Sequence, residues 1–260
     1  YTRPRVPTVG AAAGARVAPA AGAAALATAS ASVSWTLGYP DGDRADLAEV
    51  LAQTARIVRA AGALPVTADL ESGFAGTAAG VGANIAALLA TGAVGVNLED
   101  GRPGPDGPLR PVEEAAARVA AARAAADAAG VGLFVNARTD VFLLAVGDPA
   151  DRLDHAVARA RAYLAAGADG IFVPGVTDPA TVAALAGAVP APLNVLAGPG
   201  APAVPELAKL GVARVSLGPG LARAAYAALR LAAEEAYGPG TYGRIADGLG
   251  YQELNALLAD

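Results

Sequence analysis

Short runs of valine, leucine and isoleucine alternate along the chain with longer alanine-rich stretches, and the alternation repeats eight times. Each short run bounded by turn residues predicts a strand, and each long stretch with apolar positions every three to four residues predicts a helix. The predicted strands are 6–9, 25–29, 64–70, 94–98, 133–137, 170–173, 193–196 and 214–217. The clearest predicted helices are 45–61, 112–129, 149–166 and 221–233. Gly62, Gly92, Gly167 and Gly211 each stand just past a helical stretch, where a left-handed residue closes the last turn and a strand follows at once.

Eight such units, with strands apolar enough to be covered on both faces, predict a closed parallel (β/α)8 barrel of the TIM type rather than an open doubly wound sheet. The length of 260 residues agrees, since one such barrel takes about 250. Residues 1–243 are therefore expected to form one barrel domain and 244–260 an extra C-terminal helical tail. In the tail Tyr251, Leu254, Leu257 and Leu258 make one apolar stripe. So short a helix needs a partner, either its own barrel or a second subunit.

Composition narrows the chemistry. The chain is 54% hydrophobic and 17% charged, but no stretch reaches the uninterrupted apolar length of a membrane helix, so no membrane partner is expected. A net charge of -5, with the arginines scattered, argues against nucleic acid. Cysteine is absent, which excludes disulfides, thiolate zinc sites and thiol nucleophiles. The first residues carry no apolar segment of a secretory leader, which points to the cytoplasm. The one histidine, His155, lies within a predicted helix and is expected at the surface, so neither a Ser-His-Asp triad nor a histidine metal site can be assembled.

In barrels of this kind chemistry sits at the carboxyl ends of the strands. The third predicted strand ends in Asp69 and Glu71, two apart and so expected on one face. Two such carboxylates repel unless a cation or proton lies between them, and oxygen-only ligands favour magnesium, with manganese as the alternative. The fourth strand ends in Glu99 and Asp100, of which Glu99 is expected beside the ion and Asp100 fits a turn equally well. Arg138 ends the fifth strand, where a guanidinium can clamp a carboxylate and offset charge on an enolate oxygen, or pair structurally with Asp140 or Glu99. After the second strand, the small residues Ser30, Ala31 and Ser32, with Trp35 beyond them, can cradle an anion on backbone N–H groups. Asp41 lies in a Tyr-Pro-Asp-Gly turn, and Asn194 on the seventh strand can reach the same mouth.

Leu37-Gly38-Tyr39-Pro40-Asp41, Ala68-Asp69-Leu70-Glu71-Ser72-Gly73-Phe74, Asn97-Leu98-Glu99-Asp100 and Asn136-Ala137-Arg138-Thr139-Asp140 occur in order and at spacings that resemble the isocitrate lyase/phosphoenolpyruvate mutase superfamily. The resemblance implies a magnesium-dependent barrel in which Asp69 is the direct metal ligand and Glu71 and Glu99 hold the ion through water. It further implies that Asp41 lies beside metal and substrate, that residues 30–32 grip the substrate carboxylate, and that Arg138 stabilises the enolate of a small 2-oxo acid. It also implies a homodimer or homotetramer in which a carboxy-terminal helix is exchanged.

The chain departs from the family pattern in places. The Lys-x-Cys-Gly-His loop of the carbon-carbon lyases is replaced by the proline- and glycine-rich segment 101–110, read as a gate. The mutase histidine near the sixth strand is replaced by Val173-Pro174-Gly175. The first strand lacks the family's Trp-Asp step. Decarboxylation of oxaloacetate, which leaves a pyruvate-type enolate and needs no cysteine acid, is the leading expectation. Phosphorus-carbon chemistry on phosphonopyruvate is the alternative enzyme, and a non-catalytic 2-oxo acid binder is the alternative of another class.

Overall fold

A computed structural model describes residues 5–102 and 107–259. Its sheet is wholly parallel and runs in the order β1-β9-β8-β7-β6-β5-β4-β3-β2. The strands are β1 (Arg5–Val6), β2 (Thr8–Val9), β3 (Leu26–Thr28), β4 (Val66–Asp69), β5 (Gly95–Glu99), β6 (Phe134–Arg138), β7 (Gly170–Val173), β8 (Leu193–Leu196) and β9 (Arg214–Ser216). β1 and β2 are two pieces of one stave. Pro7, which has no N–H to give the ladder, separates them. The first piece pairs with β9 and the second with β3, so the sheet closes into a (β/α)8 barrel of eight staves.

Helices follow the staves: α1 (Ala12–Ala20), α2 (Ser30–Leu37), α3 (Leu47–Ala61), α4 (Ala78–Leu89), α5 (Val112–Ala128), α6 (Arg152–Ala165), α7 (Pro179–Ala188), α8 (Val204–Lys209), α9 (Gly220–Tyr237) and α10 (Tyr251–Leu258). Asp46 caps α3 by accepting from the Ala48 N–H at 2.7 Å, and Asp178 caps α7 by accepting from the Thr181 N–H at 2.8 Å. α6 starts three residues later than the spacing predicts, because Asp148 accepts from the Ala150 N–H and holds that stretch as a turn. Among the described residues no helix is long and apolar enough to cross a membrane.

One face of each stave is apolar and packs under the helices. Val96 and Leu98 of β5, Val135 and Ala137 of β6, and Ile171 and Val173 of β7 belong to the same core as Val81, Ile85 and Leu88 of α4 and Tyr163 of α6. The alternate residues face the lumen, and several are polar. Asn136 donates to Asn97 across β5 and β6 at 2.8 Å, and Asn194 of β8 is buried as well. Such an interior binds the staves by hydrogen bonds as well as by packing, and it places charged groups at the carboxyl rim.

Candidate active site

Asp69 ends β4 on the lumen side. Its Oδ2 accepts from the Ser30 N–H at 3.1 Å and its Oδ1 from the Glu71 N–H at 3.4 Å. Its own N–H donates to Thr28 Oγ1 at 2.8 Å, which ties β4 to β3. Glu71 does not share a strand face with Asp69 as the two-residue spacing predicts. The chain leaves the sheet in a tight turn, with the Gly73 N–H on the Leu70 carbonyl at 2.7 Å and Glu71 itself left-handed at φ 48°. Glu71 is buried nonetheless, and its Oε2 accepts from the Asp43 N–H. Asp43 in turn accepts from the Ser72 hydroxyl, so the 41–43 segment is laced to the end of β4. Asp41 is exposed on that segment, and its charge acts on both Asp69 and Glu71.

β5 and β6 lie in register with Glu99 opposite Arg138. Arg138 Nη1 meets Glu99 Oε2 at 2.6 Å, while Nε and Nη2 grip both oxygens of Asp140 at 2.6 and 3.0 Å. The guanidinium also lies over the ring of Phe172, 5.8 Å from its centroid. Arg138 therefore has the structural partners that the sequence offered and still stands at the rim beside Asp69.

Acid outweighs base in this cluster. Burial pushes the Glu99 carboxyl well above the usual range, with Arg138 opposing and Asp140, Asp69 and Glu71 adding to the rise. Burial likewise raises Asp69 and Asp140 against the pull of Arg138. Glu71 is pushed up to about 7 by burial and by the charges of Asp43, Asp69 and Asp41. Burial alone would lower Arg138, but Glu99, Asp140 and Asp69 hold its proton more tightly than usual. Carboxylates outnumber the arginines in this cluster, so its acids are not fully balanced by positive charge.

The remaining expected residues fall in different places. Ser30, Ala31 and Ser32 form the first turn of α2, whose N–H groups have no acceptor within the helix; that of Ser30 already serves Asp69. The Ser32 hydroxyl is buried without a partner. Trp35 stands farther along α2 and packs edge-on against Tyr226 of α9, with ring centroids 6.4 Å apart. Asn194 sits in the lumen, one residue pair below the end of β8, with both side-chain polar atoms buried and unpartnered. His155 is partly exposed on α6, where its Nε2 accepts from Arg159 Nε at 3.2 Å. Of the gate at 101–110, residues 103–106 lie outside the described residues. At its base Gly101 bridges Leu109, and the Arg102 N–H reaches the Pro108 carbonyl at 2.8 Å.

Other residues of the site escape sequence reasoning. Asp43 and Thr28 carry no motif. Arg214 opens β9 in register with Asn194, and its Nε is buried without a partner. Burial pulls the Arg214 pKa down to about 10, with Asp69 the acid that opposes the fall. Only the lumen parity of β9 could have singled it out.

The donors at the rim are all carboxylate oxygens, which fit a hard divalent cation. Among the described residues no three such side chains stand close enough to enclose an ion by themselves. A hard divalent cation at this rim would therefore need oxygen ligands beyond these side chains.

A parallel barrel with acids and an arginine at the carboxyl ends of adjacent staves defines an enzyme whose chemistry sits on that rim. Residues 5–237 match the family model for phosphoenolpyruvate phosphomutase, and the chain belongs to that family, within the PEP mutase/isocitrate lyase superfamily; it is an enzyme of lyase or phosphonomutase type. It is 35% identical over 250 residues to an uncharacterised protein of Mycobacterium tuberculosis, covering 93% of this chain and 86% of that one. It is 36% identical over 172 residues to oxaloacetate decarboxylase of Rhodopseudomonas palustris, covering 63% of this chain and 54% of the decarboxylase. The structure of a candidate phosphonomutase from Burkholderia cenocepacia matches with a TM-score of 0.84 and 49% identity, over 89% of this chain and 94% of that one. Phosphonopyruvate hydrolase in complex with oxalate and magnesium matches with a TM-score of 0.84 and 26% identity, over 98% and 90%.

Proposed function

We propose that the chain is a magnesium-dependent lyase acting on a small 2-oxo acid, with decarboxylation of oxaloacetate as its simplest reaction. The observation that carries this reading is the excess of buried carboxylate around Arg138, with Asp69, Glu71 and Glu99 all pushed toward protonation by burial. A magnesium ion held by Asp69 directly, and by Glu71 and Glu99 through water, would supply the missing charge and draw electrons from the carbonyl of a chelated 2-oxo acid. The residues do the rest. The first-turn N–H groups of α2 hold the C1 carboxylate. The C3–C4 bond breaks, its electron pair passes to the carbonyl oxygen as the enolate of pyruvate forms, and carbon dioxide leaves. Arg138 steadies that oxygen, and a proton from water reaches C3 to give pyruvate.

The reading has a rival from one observation, the 49% identity to a candidate phosphonomutase. Phosphonopyruvate would pass through the same enolate, with the phosphorus-carbon bond broken instead. Incubation with magnesium and, in turn, oxaloacetate, phosphonopyruvate and 2-methylisocitrate separates the two. We expect pyruvate and carbon dioxide from oxaloacetate, abolished by a chelator. Pyruvate and phosphate from phosphonopyruvate alone would favour the rival, and binding without any turnover would make the protein a 2-oxo acid binder.

A further inference from the structure

Behind the rim lies a buried network that the reaction does not touch. Asp100 follows Glu99 at the end of β5 and is almost wholly enclosed, at 1% exposure. It is no ordinary turn residue. Its Oδ1 accepts from the Asp140 N–H at 2.9 Å, and its Oδ2 accepts from the Tyr163 hydroxyl at 2.7 Å and from Arg159 Nη1 at 3.0 Å. Asp140 is the residue whose side chain grips Arg138 through two nitrogens. Fixing the Asp140 main chain therefore fixes the carboxylate that aims the guanidinium.

The same hub reaches the segment that follows β5. Arg159 Nη1 also donates to the Arg110 carbonyl at 3.0 Å, and the Arg110 N–H donates to the Asp100 carbonyl at 2.8 Å. At Gly101 an added Cβ would lie 2.9 Å from Asp140 Oδ2, so the segment enters against the very carboxylate that holds Arg138. Tyr163 and Arg159 both stand on α6, one turn apart, and α6 is packed in the core. The hub is thus anchored on a rigid element and meets the site through the Asp140 N–H, through the Arg138 carbonyl, which accepts from the Asp100 N–H at 3.2 Å, and through the start of the segment.

We propose that Asp100, held by Tyr163 and Arg159, is a positioning residue that sets the orientation of Arg138 through Asp140 and ties it to the base of the 101–110 segment. The proposal rests on the reading of Arg138 as the residue that meets the enolate oxygen. Oxalate with magnesium is the probe, because it presents the planar pair of oxygens that such an enolate presents and needs no turnover. Tyr163→Phe removes the hydroxyl that donates to Asp100 and accepts from Arg159 Nη1 at 3.1 Å, while Arg159 still faces the Asp100 carboxylate. Its expected effect is a loss of affinity for magnesium–oxalate of about three- to tenfold, within the range of the hydrogen bonds removed, with affinity for magnesium alone unchanged. In an Arg138→Ala background the same substitution should cost nothing further, because the network then has nothing to aim. Asp100→Asn should act more strongly in the same direction.

Tyr163→Phe with unaltered magnesium–oxalate affinity would overturn the proposal. An equal loss with and without Arg138 would also overturn it, since that marks general loosening of the fold. Failure of the unaltered protein to bind magnesium–oxalate would overturn the reading of the site and the proposal together.

Discussion

Asp69 accepts hydrogen bonds from two amides, those of Ser30 and Glu71, and is the one carboxylate that joins β4, α2 and the rim. Asp69→Ala should abolish magnesium-dependent turnover and the heat of magnesium binding. Stability should change by no more than about 1 kcal/mol, because relief of repulsion from neighbouring acids offsets the two lost hydrogen bonds. Calorimetry with thermal melting checks both halves, and magnesium binding that survives would remove Asp69 as the ligand. Glu71 gives a second test at this scale. Its folded pKa, about 7, lies above its ordinary value of 4.5, so the native state binds more protons than the unfolded chain between those values. Stability is then greatest below pH 4.5 as far as this group acts, and falls as pH rises toward 7. In chelator, the Tm should drop between pH 5 and pH 7.5. Excess magnesium, which binds the deprotonated acids, should reverse the drop, and a Tm that rises with pH in chelator would show that other groups govern.

At the scale of elements, α2 owes its place to a close approach. Gly10, just past β2, lies so near the Ser32 carbonyl that an added Cβ would meet its oxygen at 2.3 Å. Gly10→Ala must push the first turn of α2 away from β2 and carry the Ser30 N–H from Asp69. We expect a Tm lower by about 3–10 °C and weaker binding of magnesium–oxalate. Unchanged affinity would mean that residues 30–32 do not hold the carboxylate. This contact also marks where sequence stops being informative. The apolar period that fixed the eight staves reports which face meets the helices, and Val96, Leu98, Val135 and Ala137 lie in the core as that period implies. Asp69, Glu99 and Arg138 could be read because strand ends in a barrel share one rim. Asp100 could not be told from a turn residue, because its partners, Tyr163 and Arg159, are 59 or more positions away. Glu71 left the strand through a left-handed turn that a two-residue count does not register, and Pro7 split the first stave without disturbing its apolar pattern.

For the whole molecule, the surface that most needs a partner is on α9. None of its 18 residues is buried, although it carries Leu221, Tyr226, Leu229 and Leu231, and Leu229 is 65% exposed. Beside its first turns runs an apolar cavity of about 780 Å³, walled by Val9, Ala13, Val17, Leu217, Ala225 and Tyr226. The tail helix α10 lies against α1 of its own chain, with Leu254 and Leu257 half-buried, and leaves α9 uncovered. A barrel helix with a bare apolar stripe next to an apolar groove is self-complementary, since two copies related by a two-fold axis can each lay α9 into the groove of the other. We propose that α9 is the surface shared between subunits. Trp35, which packs on Tyr226, would then connect this interface to α2 and so to the rim. Sedimentation of the full chain should give a dimer or tetramer, and Leu229→Glu should shift it toward monomer while the circular dichroism spectrum stays that of a folded barrel. A full-length chain that sediments as a monomer at micromolar concentration would refute the α9 interface, and truncation after Gly243 that dissociates the assembly would assign it to the tail rather than to α9.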